Sequence, residues 1–407
     1  MQALDHLTIL DMTQVIAGPY CTMMLADMGA DVIKIEQPST APRAMGYPMK
    51  GSDGAGFLAV NRNKRSFVVD LKDHDGRAAL LELVAQADVF VENFRPGVTA
   101  KLGIDWPTLA HVNPELIYAS ISGFGQDGPY AQRPGYDLLA QALSGIMSVT
   151  GSPDGPPAKA GLPIGDLTAG LVCSQAILTA IIARTRTRRG QYVETSLLDA
   201  AISLSVWESA ELWATDHVPE ALGSAHRATA PYQAVKAKDG YLAIAVNNAK
   251  FWAAFCQVIS RPALFDDDRF ATNQNRMENL PALIVEIEQA LSDRTVDEWI
   301  DTFLVADIPA SPILDYRQSL SNEQVLARKL VQYVEHPIEG SIPALGIPAK
   351  LSDTPGSIRF AAPLHGQHTV EVLGEVGMSS DEIDRLVKQG SVFTPESLHK
   401  RNKASAP

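Results

Sequence analysis

The feature that most constrains this chain is an alternation in its first 122 residues, where short apolar runs are separated by helical patterns. Runs at 7–12 (LTILDM), 31–36 (DVIKIE), 66–71 (SFVVDL), 88–92 (DVFVE) and 116–122 (LIYASIS) have strand length. One helical pattern opens at Gly18-Pro19 and stops at Gly29; Pro19 suits a first turn and Gly29 a position just past the helix end. Another covers 76–87 (GRAALLELVAQA). Strands this apolar need cover on both faces. The pattern predicts an α/β fold with a mainly parallel, doubly covered sheet.

The later chain changes style. Helical stretches at about 137–149 and 166–184 lead to a strand at 191–197 and a helix at 198–213. Polar, irregular residues 214–231 read as a linker. A strand pair over Gln233–Val246, turning at Lys238-Asp239-Gly240, precedes amphipathic helices near 249–259, 276–292 and 295–306. That set predicts a smaller α+β domain. The expected organisation is a large domain over 1–213, the linker 214–231, the small domain 232–320, and 321–407 returning to the large domain. Within that return, 336–363 is rich in Pro and Gly, and short helices are expected near 367–376 and 380–389. From Ser391 on, the polar end is expected to be loosely held.

Composition narrows the function classes. The chain has 407 residues, of which 46% are hydrophobic, enough for cores of this size. A net charge of -13 argues against nucleic-acid binding, since phosphate contacts need clustered Lys and Arg. Any anionic ligand must therefore meet a local basic patch. Cys21, Cys173 and Cys256 are far apart and show no metal or CxxC spacing, which predicts reduced thiols, no metal site and a cytoplasmic location. No secretory signal is expected from the N-terminus. The uncharged stretch Leu167–Ala183 is short for a bilayer span and reads as a buried helix, so no membrane partner is expected.

Several motifs bear on chemistry. Gly123-Phe-Gly125-Gln-Asp-Gly128 fits the dinucleotide spacing, but Pro129 follows at once, and turn residues replace the helix that must receive a pyrophosphate. The earlier strand–turn–helix unit, Thr13 to Pro19, has a single glycine, Gly18, although Glu36 stands where a ribose-binding acid would be. Asp166, within Gly165-Asp166-Leu-Thr168, opens the most apolar helix. It reads either as an N-cap or as a carboxylate nucleophile whose pKa a helix N-terminus would lower. Asn61-Arg62-Asn63-Lys64-Arg65 reads either as a solvated loop or as a phosphate patch: segment 43–72 holds six cations against two acids, whereas 262–301 holds ten acids and three arginines. Glu92-Asn93-Phe94-Arg95-Pro96-Gly97 closes a strand, where open α/β sheets gather ligands; it reads either as a contact for an adenine and its phosphates or as an ordinary turn. Arg184, Arg186, Arg188 and Arg189 suit a helix C-terminus.

Together these blocks resemble the class III CoA-transferase family, the formyl-CoA transferase type, which also holds carnitine CoA-transferase and the α-methylacyl-CoA racemases. The likeness runs through Leu10–Pro19, Gly29–Glu36, Asn61–Arg65, Glu92–Gly97, Ser122–Gln126, Arg133–Asp137, Gly165–Ala169, Ser196–Ala200, Asp268–Asn273 and Leu351–Pro355. It implies a Rossmann-like large domain, a small α+β domain and an interlocked, ring-like homodimer. It implies an acyl-CoA:carboxylate CoA-transferase with coenzyme A as substrate, no tightly bound cofactor, and a small carboxylic acid as acceptor. Asp166 matches the catalytic aspartate. Gln14, Tyr136 and Asp137 would neighbour it, with backbone N–H groups at the helix start stabilising oxyanions. Val15, Ile16 and Ala17 would line a CoA tunnel, and Asn93, Phe94 and Arg95 would hold the nucleotide. Leu71, Lys72, Lys101, Leu102 and Arg133 would add contacts. Gln37 stands where formyl-CoA transferase has an arginine, and Arg43 is the candidate replacement. The rival activity in the family is racemisation, which uses a His as base; Tyr136 occupies that position, and a tyrosine with pKa about 10 is a poor base.

Overall fold

The computed structural model describes residues 1–51 and 53–404. Two compact units emerge: one from residues 1–146, 160–210 and 323 onward, the other from 147–159 and 211–322. Residues 147–159, which the sequence pattern assigns to the large domain, belong to the second unit. One tie within that unit is the Gly223 N–H, which donates to the Gly151 carbonyl at 2.8 Å, a pairing that no local pattern encodes.

The first unit is built on β1 (Thr8–Asp11), β2 (Asp31–Glu36), β3 (Lys64–Val69), β4 (Val89–Glu92), β5 (Ile117–Ser122) and β6 (Gln191–Ser196). They pair in parallel in the order 3-2-1-4-5-6, that of a Rossmann sheet. Alternate residues serve opposite cores, as the strand period requires. Ile9, Val89 and Ile117 face Cys21 and Leu25 of the helix Ala17–Asp27 and Ala169, Cys173 and Ile177 of the long helix Ile164–Thr187. Leu10, Phe90 and Tyr118 face Leu80 and Leu83 of the helix His74–Gln86, with Val372 and Leu386 from the end of the chain.

In the second unit, β7 (Tyr232–Lys236), β8 (Tyr241–Ala245) and β9 (Ala310–Pro312) form an antiparallel sheet. Its core joins Val235, Leu242 and Ile244 to Trp252, Phe255, Leu283, Ile287, Trp299 and Phe303 from three amphipathic helices.

The C-terminal segment departs from expectation. β10 (Val331–His336) and β11 (Gly340–Leu345) form a hairpin that runs into the Pro- and Gly-rich stretch. The polar end is anchored as far as Leu398. There, β12 (Val392–Phe393) adds antiparallel to the β3 edge, and the helix Pro395–Ala404 follows with Leu398 buried. A two-residue strand is too short to leave a hydrophobic period, so the sequence does not reveal it.

The long helix also differs from its reading as a buried element. It is long and apolar enough to cross a membrane by length and composition, but only 28% of its most apolar window is buried. One face packs on the sheet; Leu171 and Ile182 lie exposed on another.

Candidate active site

The loop after β1 is held from three sides. The Asp11 carboxylate, wholly buried, accepts the Thr13 N–H at 2.9 Å and the Thr13 hydroxyl at 2.5 Å. Asn93, just past β4, grips Gln14 twice: its Oδ1 accepts the Gln14 N–H and its Nδ2 donates to the Gln14 carbonyl, both at 2.8 Å. Val15 is thereby kept at φ +67°, a costly conformation for a β-branched residue. Gly18 permits the turn, because a Cβ there would lie 2.2 Å from the Thr13 Cβ.

A cavity of about 270 Å³ opens at the carboxyl ends of β1 to β4. This is where Rossmann sheets bind ligands. Gln14, Val15, Gln37, Leu71, Lys72, Phe94 and Leu102 line it, as the family resemblance implies for CoA contacts or active-site neighbours. The other expected residues are not among its lining. Ile16 and Ala17 lie at its edge in sequence, and Asn93 acts through Gln14. Arg95, Lys101 and Arg133 are exposed outside it, Arg133 stacking on Tyr130 with its guanidinium carbon 3.6 Å from the ring centre. Asn61, which opens the 61–65 motif, also lines the cavity, as do Lys34 and Arg401, which were not among the expected contacts.

The basic segment is neither a solvated loop nor a phosphate patch. Arg62 forks onto Asp27 at 3.0 and 2.7 Å, and Lys64 binds Asp11, the Pro19 carbonyl and Asn61 within 2.9 Å. Arg65 binds Asp31, Glu371 and Glu375. Arg43, the candidate replacement at the phosphate, is 1% exposed and fully engaged by Glu36 and Asp53. The neutralising acids come from positions 11 to 53 and from 371 and 375, so a local charge count cannot see all of them. The same contact removes Glu36 as a ribose ligand. Burial would raise the Asp11 pKa, but the Lys34 and Lys64 ammoniums outweigh it and hold the carboxyl well below the usual range. Burial in turn lowers Lys64 to about 8.

Asp166 lies in the first turn of the long helix and is not its cap. The cap is Asp137, whose Oδ1 accepts the Gly165 N–H at 2.8 Å and the Asp166 N–H at 3.3 Å. The Asp137 Oδ2 accepts from Gln141 at 2.6 Å. Gly123 and Gly135 bring the strand-end loop and the Asp137 loop together, since a Cβ on Gly123 would lie 2.6 Å from the Gly135 Cα. This close approach explains Gly123, the first glycine of the dinucleotide-like spacing; Gly125 and Gly128 instead take positive φ. Because Ile164 and Leu167 donate to the carbonyls of Leu162 and Pro163, all four N–H groups of 164–167 are occupied. The expected oxyanion donors at the helix start are therefore not free.

The Asp166 carboxylate accepts no hydrogen bond among the described residues. Burial, then the neighbouring Asp137 charge, pushes its pKa up to about 6, opposite to the lowering expected from a helix N-terminus. It remains mostly ionised at pH 7. Gly170, four residues on and on the same helix face, meets the start of the helix Ala17–Asp27: a Cβ there would lie 2.7 Å from the Ala17 carbonyl oxygen. The cavity loop and the Asp166 face thus share the segment Val15–Ala17. Tyr136 is exposed beside Asp137. Among the described residues no group of three or more His, Cys, Asp or Glu side chains is placed to hold a metal ion.

The family model for CoA-transferase family III matches residues 4–369. The chain belongs to this family. Among its relatives, mouse succinyl-CoA:glutarate CoA-transferase is 37% identical over 396 residues, covering 96% of this chain and 91% of that protein. Acetyl-CoA:oxalate CoA-transferase of Acetobacter aceti is 40% identical over 351 residues, covering 86% and 89%. A solved CAIB/BAIF family protein of Brucella suis superposes with a TM-score of 0.85 at 34% identity, covering 92% of this chain and 99% of that one. Family III membership makes this chain a CoA-transferase that uses CoA thioesters as substrates.

Proposed function

We propose that this family III enzyme moves CoA from an acyl-CoA donor to a carboxylic acid, with Asp166 as the covalent nucleophile. The observation that carries this reading is the Asp166 carboxylate: half-buried, accepting no hydrogen bond among the described residues, and largely ionised at neutral pH. A carboxylate needs no base to act as nucleophile. Its attack on the donor thioester forms a mixed anhydride and releases CoA thiolate. The thiolate attacks the aspartyl carbonyl, giving an aspartyl-CoA thioester and the free donor acid. The acceptor carboxylate attacks that thioester, giving a second anhydride and CoA thiolate. The thiolate then attacks the acceptor's acyl carbon, releasing the new acyl-CoA and restoring Asp166. Each step exchanges one activated acyl bond for another.

The donor we propose is a short acyl-CoA such as succinyl-CoA, with a small dicarboxylic acid as acceptor, following relatives named for glutarate, mesaconate and oxalate. We also propose a homodimer, interlocked as in the formyl-CoA transferase type. Exposed apolar side chains support dimerisation: Leu171 and Ile182 on the long helix, Ile202 on the helix Leu197–Ser203 and Trp207 on the helix Val206–Thr215 are uncovered in the single chain. Three buried free thiols fit a reducing, cytoplasmic setting. Racemisation gains no support from Tyr136, which is exposed and stands where that branch uses a histidine.

The test is a chromatographic screen of acyl-CoA donors against carboxylic acids, with Asp166→Ala alongside the native enzyme. Transfer to at least one acid, abolished in a folded Asp166→Ala, is expected. Normal turnover in that variant, or exchange of the α-hydrogen of a 2-methylacyl-CoA without transfer, contradicts the reading.

A further inference from the structure

The segment that leads into the Asp166 helix, residues 160–163, has no regular structure, and Gly161 and Leu162 within it are exposed. Both ends of the stretch 160–166 are gripped from one short helix, Asp137–Leu143. Asp137 holds the far end through the Gly165 and Asp166 N–H groups. Gln141 stands four residues on and shares the same helix face. It holds the near end: its Oε1 accepts the Ala160 N–H at 2.9 Å. The two grips are joined, because the Gln141 Nε2 donates to the Asp137 Oδ2 at 2.6 Å. Gln141 is wholly buried. One of its neighbours is a carboxylate and needs a donor; the other is a backbone N–H and needs an acceptor. A primary amide supplies both without carrying charge. Burial makes each bond costly to leave unmade.

We propose that Gln141 is a positioning residue for the transfer reaction: by tying Asp137 to the Ala160 N–H, it fixes where the segment 160–166 places the Asp166 carboxylate. This rests on the reading of Asp166 as the nucleophile. Gly165 completes the arrangement, since a Cβ there would lie 3.0 Å from the Asp137 Oδ1. Gln141 reaches Asp166 only through Asp137 and the backbone. Its loss therefore misplaces the nucleophile rather than weakening a contact with the thioester, and a shift of about 1 Å can cost about a hundredfold in rate. The helices packed on Asp137–Leu143 carry the acids Asp166 and Asp199, and their cations, Arg184 and Arg186, stand at the far end of the long helix. Lys159, which precedes Ala160, is exposed. A negative charge introduced at position 141 would add to the acids already there.

Steady-state kinetics on the full-length enzyme test this. Gln141→Leu keeps the bulk and removes both hydrogen bonds. Its kcat should fall about tenfold or more, while KM for the acyl-CoA donor changes by less than about twofold. Gln141→Glu is the conservative variant: protonated, its carboxyl can make both bonds; ionised, it sets a like charge against Asp137. Its kcat relative to the native enzyme should be highest near about pH 5.5 and fall as pH rises toward about 8. A residue that only stabilises the fold would lower the melting temperature and leave kcat in the folded variants unchanged. Native kcat in folded Gln141→Leu, or a Gln141→Glu profile that tracks the native one, overturns the proposal. If Gln141→Leu does not fold, the Gln141→Glu profile decides alone. Asp166→Ala is run alongside: normal turnover there sinks the nucleophile reading itself, whereas an inactive Asp166→Ala beside a fully active Gln141→Leu sinks only the positioning role.

Discussion

Asp137 caps the helix that presents Asp166, so the two carboxylates divide the work at one helix start. Asp137 takes the backbone N–H groups of Gly165 and Asp166, and among the described residues the Asp166 carboxylate accepts no hydrogen bond. The Asp137 charge also adds to burial in raising the Asp166 pKa to about 6.

Asp137→Asn separates these effects. The amide oxygen can still accept the cap hydrogen bonds, but the charge is gone. The acid limb of kcat/KM, expected near pH 6 in the native enzyme, should move to lower pH. Asp137→Ala should in addition cost about 1 kcal/mol in urea unfolding, the typical worth of a cap. A pH–rate profile unaltered by Asp137→Asn would break the link between the two carboxylates.

Lys64 tests the reassignment of the basic segment. Its ammonium is wholly buried, 2.8 Å from Asp11. Lys64→Met should strand that carboxylate beside Lys34 alone and cost about 3–5 kcal/mol in chemical denaturation. A solvated or ligand-binding lysine would cost under about 0.5 kcal/mol.

How far the sequence reaches is visible in this same segment. The six parallel strands were legible because apolar runs of strand length alternate with helices, and Asp166 stood out through its place before an apolar helix and its family motif. The role of Lys64 was hidden, because its partners Asp11 and Pro19 lie 53 and 45 residues away. Asp137 was placed near Asp166 by family likeness, but its capping role depends on a contact across 28 residues. Arg401 left no trace at all: a two-residue strand on the sheet edge carries it to the cavity.

Glu92 supplies a pH-dependent stability. Burial pushes its pKa up to about 7, against which the Ser120 and Phe94 hydrogen bonds act only in part. The folded protein therefore holds a proton that the unfolded chain releases near 4.5. This contribution is complete below pH 4.5 and is lost as pH rises through 7. Glu92→Gln should stabilise the protein at pH 8 by at most about 3 kcal/mol and have little effect at pH 4. Melting curves at both values check this.

Asn93 and Gly18 test the cavity loop. Asn93→Ala removes both grips on Gln14 and should raise KM for the thioester several-fold more than it lowers kcat. Gly18→Ala drives a methyl into Thr13 and should displace the same loop. Steady-state kinetics on both variants, with circular dichroism confirming the fold, provide the comparison.

The central claim is that the Asp166 carboxylate becomes covalently activated. The most direct measurement is mass spectrometry of the digested enzyme after incubation with succinyl-CoA and hydroxylamine. The account predicts a hydroxamate on the peptide containing Asp166, dependent on the thioester and absent from Asp166→Ala. An unmodified Asp166 in an enzyme that turns over, or a hydroxamate on a different carboxylate, would contradict it.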